Sequence, residues 1–150
     1  MTRKVVFLDR DGTLVPDIGF LGSPADVRLI DGVAAALIAL EAAGFARVII
    51  TNQSGIDRGK FTERDFDAVQ AELGRQLAQA GASTDAAFHC PHLPDAGCAC
   101  RKPATALHRE AAARFNLDLP SSWCIGDRIS DVTAAAGFGG RAVLVLTGEG

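Results

Sequence analysis

Apolar residues fall along this chain in short runs that alternate with stretches of helical spacing. Val5 to Leu8 is an unbroken apolar tetrad, the signature of a buried strand. Val33, Ala36, Leu37 and Leu40 recur at i, i+3, i+4 and i+7, which predicts an amphipathic helix closed by Gly44. Arg47 to Ile50 is a second, β-branched run. Thr62 has the character of an N-cap, and Asp65 three residues on makes a weaker form of capping box. Behind it Phe66, Val69, Leu73 and Leu77 line one helical face as far as Gly81. A third strand is predicted near Ala86 to Phe88, then a helix with Pro103 in its first turn and Leu107, Ala111 and Phe115 on one face. Trp123 to Ile125 and Ala142 to Leu146 supply the fourth and fifth strands, with a short helix over Ser130 to Ala136 between them.

Alternation of this kind predicts an α/β fold: a Rossmann-like parallel sheet with helices on both faces, one domain spanning residues 1–150. Ligands of such sheets bind beyond the carboxyl ends of the strands. Asp9, Thr51 and Asp127 each follow a predicted strand directly, so polar chemistry sits where the fold class wants it.

Composition narrows the function classes. With 150 residues, 48% hydrophobic and 22% charged, the chain can bury one sizeable core and is not a disordered segment. A net charge of -3 without a basic run argues against nucleic acid as a partner. No apolar stretch approaches the ~20 residues of a membrane helix. The basic start Met1-Thr2-Arg3-Lys4 imitates a signal peptide, but Asp9, Arg10 and Asp11 end the apolar run too early, and a cytoplasmic protein is expected. Cys90, Cys98 and Cys100 fall within eleven positions with His92 among them, a clustering that in a reducing compartment suggests metal before disulfide.

Asp9-Arg10-Asp11-Gly12-Thr13 is the strongest chemical signal. Side chains alternate along an extended chain, so Asp9 and Asp11 share a direction that Arg10 does not. Two carboxylates so placed repel, and a cation relieves the repulsion; Gly12 lets the backbone turn sharply after them. A carboxylate nucleophile forms an acyl-phosphate that water cleaves readily, and a second carboxyl can serve as acid and then base. A solvated turn with capping aspartates is the plain alternative, and it would hold for an isolated Asp-x-Asp. Cys90, His92, Cys98 and Cys100 make a closed four-ligand set of the structural zinc type, next to Arg101 and Lys102. Reduced, unliganded thiols are the alternative there. Cys124 and Trp123 read as packing residues, and His89 and His108 are assigned no role.

With these motifs the chain resembles the haloacid dehalogenase-type phosphatases. Asp9 to Thr13 matches their first motif, Thr51 the second, Lys102 the third, and Gly126-Asp127-Arg128-Ile129-Ser130-Asp131 the fourth. The resemblance implies that Asp9 is the nucleophile, Asp11 the acid and base, and Thr51 and Lys102 the groups on the phosphoryl oxygens. It implies Mg2+ on Asp9, Asp127 and the backbone carbonyl of Asp11. Asp131 is left between second-layer support and an N-cap.

The Cys-x-His…Cys-x-Cys-Arg-Lys-Pro loop is similar to one zinc-bearing subgroup, which comprises heptose-bisphosphate phosphatases and histidinol-phosphate phosphatases. Thr51 to Ile56, Arg58 to Phe61 and the ending Val145 to Gly148 look like the heptose branch. Cys90 to Pro94 and Gly126-Asp127-Arg128 look like the histidinol branch. Substrate contacts implied by the heptose branch fall on Asp17, Gly19, Phe20, Asn52, Gln53, Ser54, Arg101 and Lys102. A second phosphate wants a bidentate donor, which Arg101 or Arg128 can supply. No insertion is long enough for a cap domain, so specificity is expected from loops 14–31, 52–61 and 90–102 around a small phosphorylated substrate. A zinc-stabilised, non-catalytic phosphate-binding module is the competing class. Relatives of this type continue with another strand and helix, so an open sheet edge is expected after the fifth strand, in a monomer or a weak homodimer.

Overall fold

Val5–Leu8 forms β1, with all four residues buried, because parallel strands lie on either side of it and helices cover both its faces. The computed structural model describes residues Met1 to Gly150. The other strands are β2 (Ala46–Asn52), β3 (Ala86–Cys90), β4 (Trp123–Gly126) and β5 (Arg141–Leu144), all parallel, in the order β3-β2-β1-β4-β5. The helices are α1 (Val33–Ala42), α2 (Glu63–Gln79), α3 (Ala106–Phe115) and α4 (Ile129–Ala136).

Side-chain alternation along β1 divides the interior into two cores. Val5 and Phe7 join Val48 and Ile50 of β2 beneath Leu107 and Ala111 of α3 and Ala135 of α4. Val6 and Leu8 join Ile49 beneath Val33 and Leu37 of α1 and Val69, Leu73 and Leu77 of α2. The chain leaves β1 toward β2 and β3 on one side and later returns to build β4 and β5 on the other. The carboxyl ends of β1 and β4 therefore meet at the switch point where a ligand crevice opens. Between β1 and α1 lies only a single 3-10 turn, Pro24–Asp26, and no cap. No helix is long and apolar enough to cross a membrane.

Most predicted elements are present, and the Thr62–Asp65 capping box is complete, with Asp65 N donating to Thr62 Oγ1 at 3.1 Å and Thr62 N to Asp65 Oδ2 at 2.8 Å. Four details differ. In α1 Ala36 faces solvent and Ala34 packs inward instead, leaving Val33 and Leu37 as the buried residues. β3 runs on to Cys90, because Asn52 of β2 extends the ladder to pair with it. Helix α3 begins at Ala106 and leaves Pro103 in the preceding turn, because the Lys102 backbone is bound by Asn52 and cannot enter a helical path. β5 ends at Leu144, since its partner β4 ends at Gly126 and Val145 makes the last bond, to the Gly126 carbonyl at 2.8 Å.

Leu73→Ala should cost about 3 kcal/mol, because the leucine is buried in the core between α2 and the sheet. Urea unfolding checks this; a loss below about 1 kcal/mol would contradict the packing described.

Candidate active site

The floor of the crevice is built by residues that follow three strands. Asp9 leaves β1, Thr51 lies near the end of β2 and Asp127 follows β4 directly; all three are buried. Ligand oxygens of Asp9, Asp127 and Asp131 lie within 4.8 Å of one another. Lys102 reaches this cluster from the loop after β3. Its Nζ donates to Asp9 Oδ1 at 3.1 Å, Asp131 Oδ1 at 2.7 Å and the Ile50 carbonyl at 2.6 Å. All three ammonium protons thus have acceptors, which a 5% exposed lysine requires.

Backbone geometry lets the carboxylates come this close. Gly12 sits at φ +88°, and a Cβ there would collide with the Asp127 carboxylate. A Cβ at Gly126 would collide with that of Asp131. Asp131 is the third residue of α4, and its Oδ2 accepts from Arg128 N at 3.3 Å. Asp131 is therefore not the N-cap, which is Arg128; from inside the first turn its carboxylate accepts from the Arg128 N–H and from Lys102.

Three carboxylates crowd around one ammonium, which bonds only Asp9 and Asp131, so the cluster is short of positive charge. Burial drives Asp9 up to about 7; Lys102 pulls against this, while Asp131 and Asp127 add to it. Burial opposes the charge of Lys102, yet Asp9 and Asp131 together raise its pKa. Asp127 Oδ2 accepts from Glu149 N at 2.8 Å, whereas its buried Oδ1 has no partner at all. A buried carboxylate oxygen without a donor is costly, and a hard divalent cation taking oxygen ligands is the partner this donor set fits.

Asp11 stands outside that cluster. Its carboxylate is gripped by Arg10, with Nε to Oδ1 at 2.9 Å and Nη2 to Oδ2 at 3.1 Å, and Gln53 Nε2 adds a bond to Oδ2 at 2.9 Å. Arg10 itself is wholly buried, bonded to Gln70 at 3.0 Å and set over the Phe66 ring. Asn52 and Gln53, expected at the substrate, line the crevice but have protein partners. Asn52 clasps the Lys102 backbone on both sides, accepting from its N–H at 3.0 Å and donating to its carbonyl at 3.3 Å. Gln53 links Asp11 to Thr51 Oγ1, 2.8 Å from its Nε2. These amides hold Lys102, Asp11 and Thr51 in place.

Above the floor opens a cleft of about 640 Å3. Asp9, Asp11, Thr51 and Lys102 line its base, and Asp17, Gly19, Phe20, Asn52, Gln53, Ser54, Arg101 and Arg128 line its walls. Arg128 is engaged there by Asp17 at 3.1 Å and lies 3.9 Å from Glu149. Gly55, Arg58 and Pro94 also line the cleft from loops expected to confer specificity, whereas Ser130 and Glu149 were not singled out by the sequence. Arg58 stacks over Phe20, 5.9 Å from its centroid, a pairing across loops that no local signal announces. His108 is buried between the Phe7 and Phe138 rings and held at about 3 by burial; His89 bonds to Glu63 at 2.7 Å and stacks on Phe66.

Cys90, His92, Cys98 and Cys100 converge, with donor atoms within 4.8 Å and no disulfide among them. The Cys90 sulfur lies 3.6 Å from that of Cys98 and 2.6 Å from that of Cys100, the latter shorter than the roughly 3.8 Å edge of a zinc tetrahedron, so an ion would have to spread the donors on binding. Burial pushes the Cys90 thiol up to about 12 and raises Cys100 as well. Cys98, although burial opposes it, is lowered to about 6 by the Arg101 N–H and the neighbouring donors. Cys90 and Cys100 thus keep their protons, which a metal bound between the four donors would displace.

Comparison with known proteins agrees with this geometry. The HAD-hydrolase-like family model matches residues 99–150. The D-glycero-beta-D-manno-heptose-1,7-bisphosphate 7-phosphatase of Bordetella bronchiseptica is 41% identical over 148 residues, covering 98% of this chain and 83% of that protein. The chain belongs to that family of haloacid dehalogenase-type phosphatases. The enzyme of the same name from Yersinia pestis is 40% identical over 99% of this chain and 85% of its own length. The crystal structure of the B. bronchiseptica D,D-heptose 1,7-bisphosphate phosphatase, complexed with magnesium and phosphate, superposes with a TM-score of 0.91 at 40% identity, over 99% of this chain and 83% of that one. Its counterpart from Burkholderia thailandensis gives 0.74 at 32% identity, over 99% and 81%. The chain is a phosphatase of the family, with the parallel sheet and capless crevice that the motifs predict.

In this heptose-bisphosphate-phosphatase family member the crowding around Asp9 has a thermodynamic signature. A carboxyl raised from 3.8 to about 7 on folding stabilises the protein below its unfolded pKa, and that contribution is lost as pH rises through 7. His108, lowered from 6.5 to about 3, acts the other way, losing stability as pH falls below 6.5. Comparing wild type with Asp9→Asn cancels the histidine. In cation-free buffer the stability of Asp9→Asn relative to wild type should grow between pH 4 and pH 7. A difference in urea midpoints that stays flat across that range would contradict the burial of an uncompensated charge.

Proposed function

We propose that this phosphatase removes the 7-phosphate of D-glycero-D-manno-heptose 1,7-bisphosphate through a phosphoaspartate on Asp9. The observation that carries the choice of substrate is charge. Beyond Lys102, the cleft wall holds Arg58 and Arg101, neither of which forms an ion pair with a carboxylate, while Phe20 and Pro94 are its only apolar side chains. A bisphosphate brings a second dianion for those arginines, and a polyol suits polar walls. Histidinol phosphate has one phosphate and an ammonium that those arginines would repel. The names of the relatives described above point the same way.

Lys102 and Thr51 hold the phosphoryl oxygens, and an Asp9 carboxylate oxygen attacks phosphorus. As the ester P–O bond breaks, the departing alkoxide takes its proton from Asp11, which Arg10 and Gln53 keep in place. Water then attacks the phosphoaspartate, giving its proton to Asp11 and freeing Asp9 and phosphate. Asp9, Asp127 and the Asp11 backbone carbonyl would hold Mg2+, which supplies positive charge toward the phosphoryl oxygens. The unpartnered Asp127 Oδ1 supports that assignment.

Zinc in the Cys90, His92, Cys98 and Cys100 set is part of this proposal, as a closed structural site with no catalytic duty. It would fix the turn that carries Arg101 and Lys102 straight after the last ligand. Thiols that remain unoxidised there fit a cytoplasmic setting.

Side-by-side kinetics test the substrate: kcat/KM for the heptose bisphosphate should exceed that for histidinol phosphate at least about tenfold. The reverse order would overturn the choice, and equal, Asp9-independent rates would overturn the mechanism. Asp9→Asn should lose turnover of a generic aryl phosphate altogether. Protein purified without chelator should carry about one zinc per chain. Stripping that zinc with a mercurial reagent and chelator should lower both melting temperature and kcat, because Lys102 loses its anchor. Metal analysis that finds no zinc ends that part of the proposal.

A further inference from the structure

The segment after β5 makes contacts that the mechanism above does not use. Thr147 Oγ1 donates to the Gly12 carbonyl at 2.7 Å, and two residues later Glu149 N donates to Asp127 Oδ2 at 2.8 Å. Gly148 between them packs so tightly that a Cβ there would run into the Asp127 carboxylate and come within 2.8 Å of Gly12 Cα. One short stretch of chain therefore ties the loop after β1 to the loop after β4, across the switch point.

Its effect on Asp127 follows from hydrogen-bond geometry. The carboxylate is fully buried and has two oxygens: Oδ2 is taken by the Glu149 N–H, and Oδ1 is left with no partner. A fixed donor on one oxygen sets the rotation of the group and leaves the other for a cation. The same stretch holds the Gly12 carbonyl, and with it the Asp11–Gly12 backbone. We infer that Thr147, Gly148 and Glu149 form a positioning strap that presets Asp127 and the Gly12 turn for the divalent cation. This rests on the reading of the Asp9–Asp127 cluster as a cation site. Thr147 touches neither substrate nor reacting atoms; it acts through Gly12 and through the course of the chain that follows it.

The test uses the full chain without substrate, and Mn2+ as a spin-active probe counted by electron paramagnetic resonance. Thr147 is exposed, so its replacement leaves the core intact. Thr147→Val should weaken Mn2+ binding about fivefold, the equivalent of one lost hydrogen bond, and Thr147→Ser should restore it. Gly148→Ala, which pushes the strap off Asp127, should weaken it further. The Mg2+ concentration that half-activates the enzyme should rise in the same order. Equal Mn2+ affinity in wild type and Thr147→Val would overturn the inference while leaving the cation site standing, as would equal weakening in Thr147→Val and Thr147→Ser. A wild type that binds no Mn2+ would overturn the cation site and the strap together.

Discussion

Three carboxylates buried at one point, with a single ammonium among them, is the constraint around which this molecule is organised. Asp9, Asp127 and Asp131 would repel one another apart without Lys102, and Lys102 would be an unpaired buried cation without them. The sheet order makes the meeting obligatory. β1 and β4 are neighbours whose chains depart in opposite directions, so their carboxyl ends are free of crossing connections and can both deliver an aspartate. The glycines at 12 and 126 supply the space, since a methyl group at either would occupy the volume of a carboxylate. An incompletely compensated charge in such a place is strain that a bound cation relieves, and so the cost of assembling the cluster becomes affinity for the cation.

Around this centre, several residues that face the crevice act on other residues. Asn52 closes two hydrogen bonds on the Lys102 main chain, joining the end of β2 to the cysteine-bearing loop. Gln53 joins Asp11 to Thr51. Arg10, buried beneath, holds Asp11 from the other side and is itself held by Gln70 of α2. Asp11, Thr51 and Lys102 are thus each fixed by a partner outside the buried carboxylate cluster, which is how a site pre-organises charge without substrate present. The walls contrast with this: Arg58 and Phe20 are exposed and rest on each other across two loops, adaptable where the floor is rigid.

Local patterning made much of this legible. The apolar tetrad of β1, the helical stripe of α2 and its capping box depend on neighbours a few residues apart, and they appear where the periodicity puts them. Three of the four phosphatase motifs were legible because each couples a residue type to the end of a strand; Lys102, in the loop after β3, was legible from its place directly after the cysteine cluster. The element ends that moved, at β3, α3 and β5, are those decided by a partner far along the chain: Asn52 for the first two, Gly126 for the third.

Residue types and order alone therefore determined the fold class and the family, and singled out Asp9, Asp11, Thr51, Lys102 and Asp127, which the structure gathers at one crevice. Tertiary structure alone decided which carboxylates share the ammonium and that Asp11 is held apart by Arg10. It also decided that Asn52 and Gln53 brace the site, and that the stretch from Thr147 to Glu149 returns to hold Asp127. The reason is physical. Hydrophobic periodicity encodes what lies three or four residues away, whereas charge compensation and hydrogen-bond direction in a buried cluster depend on atoms brought together from distant parts of the chain.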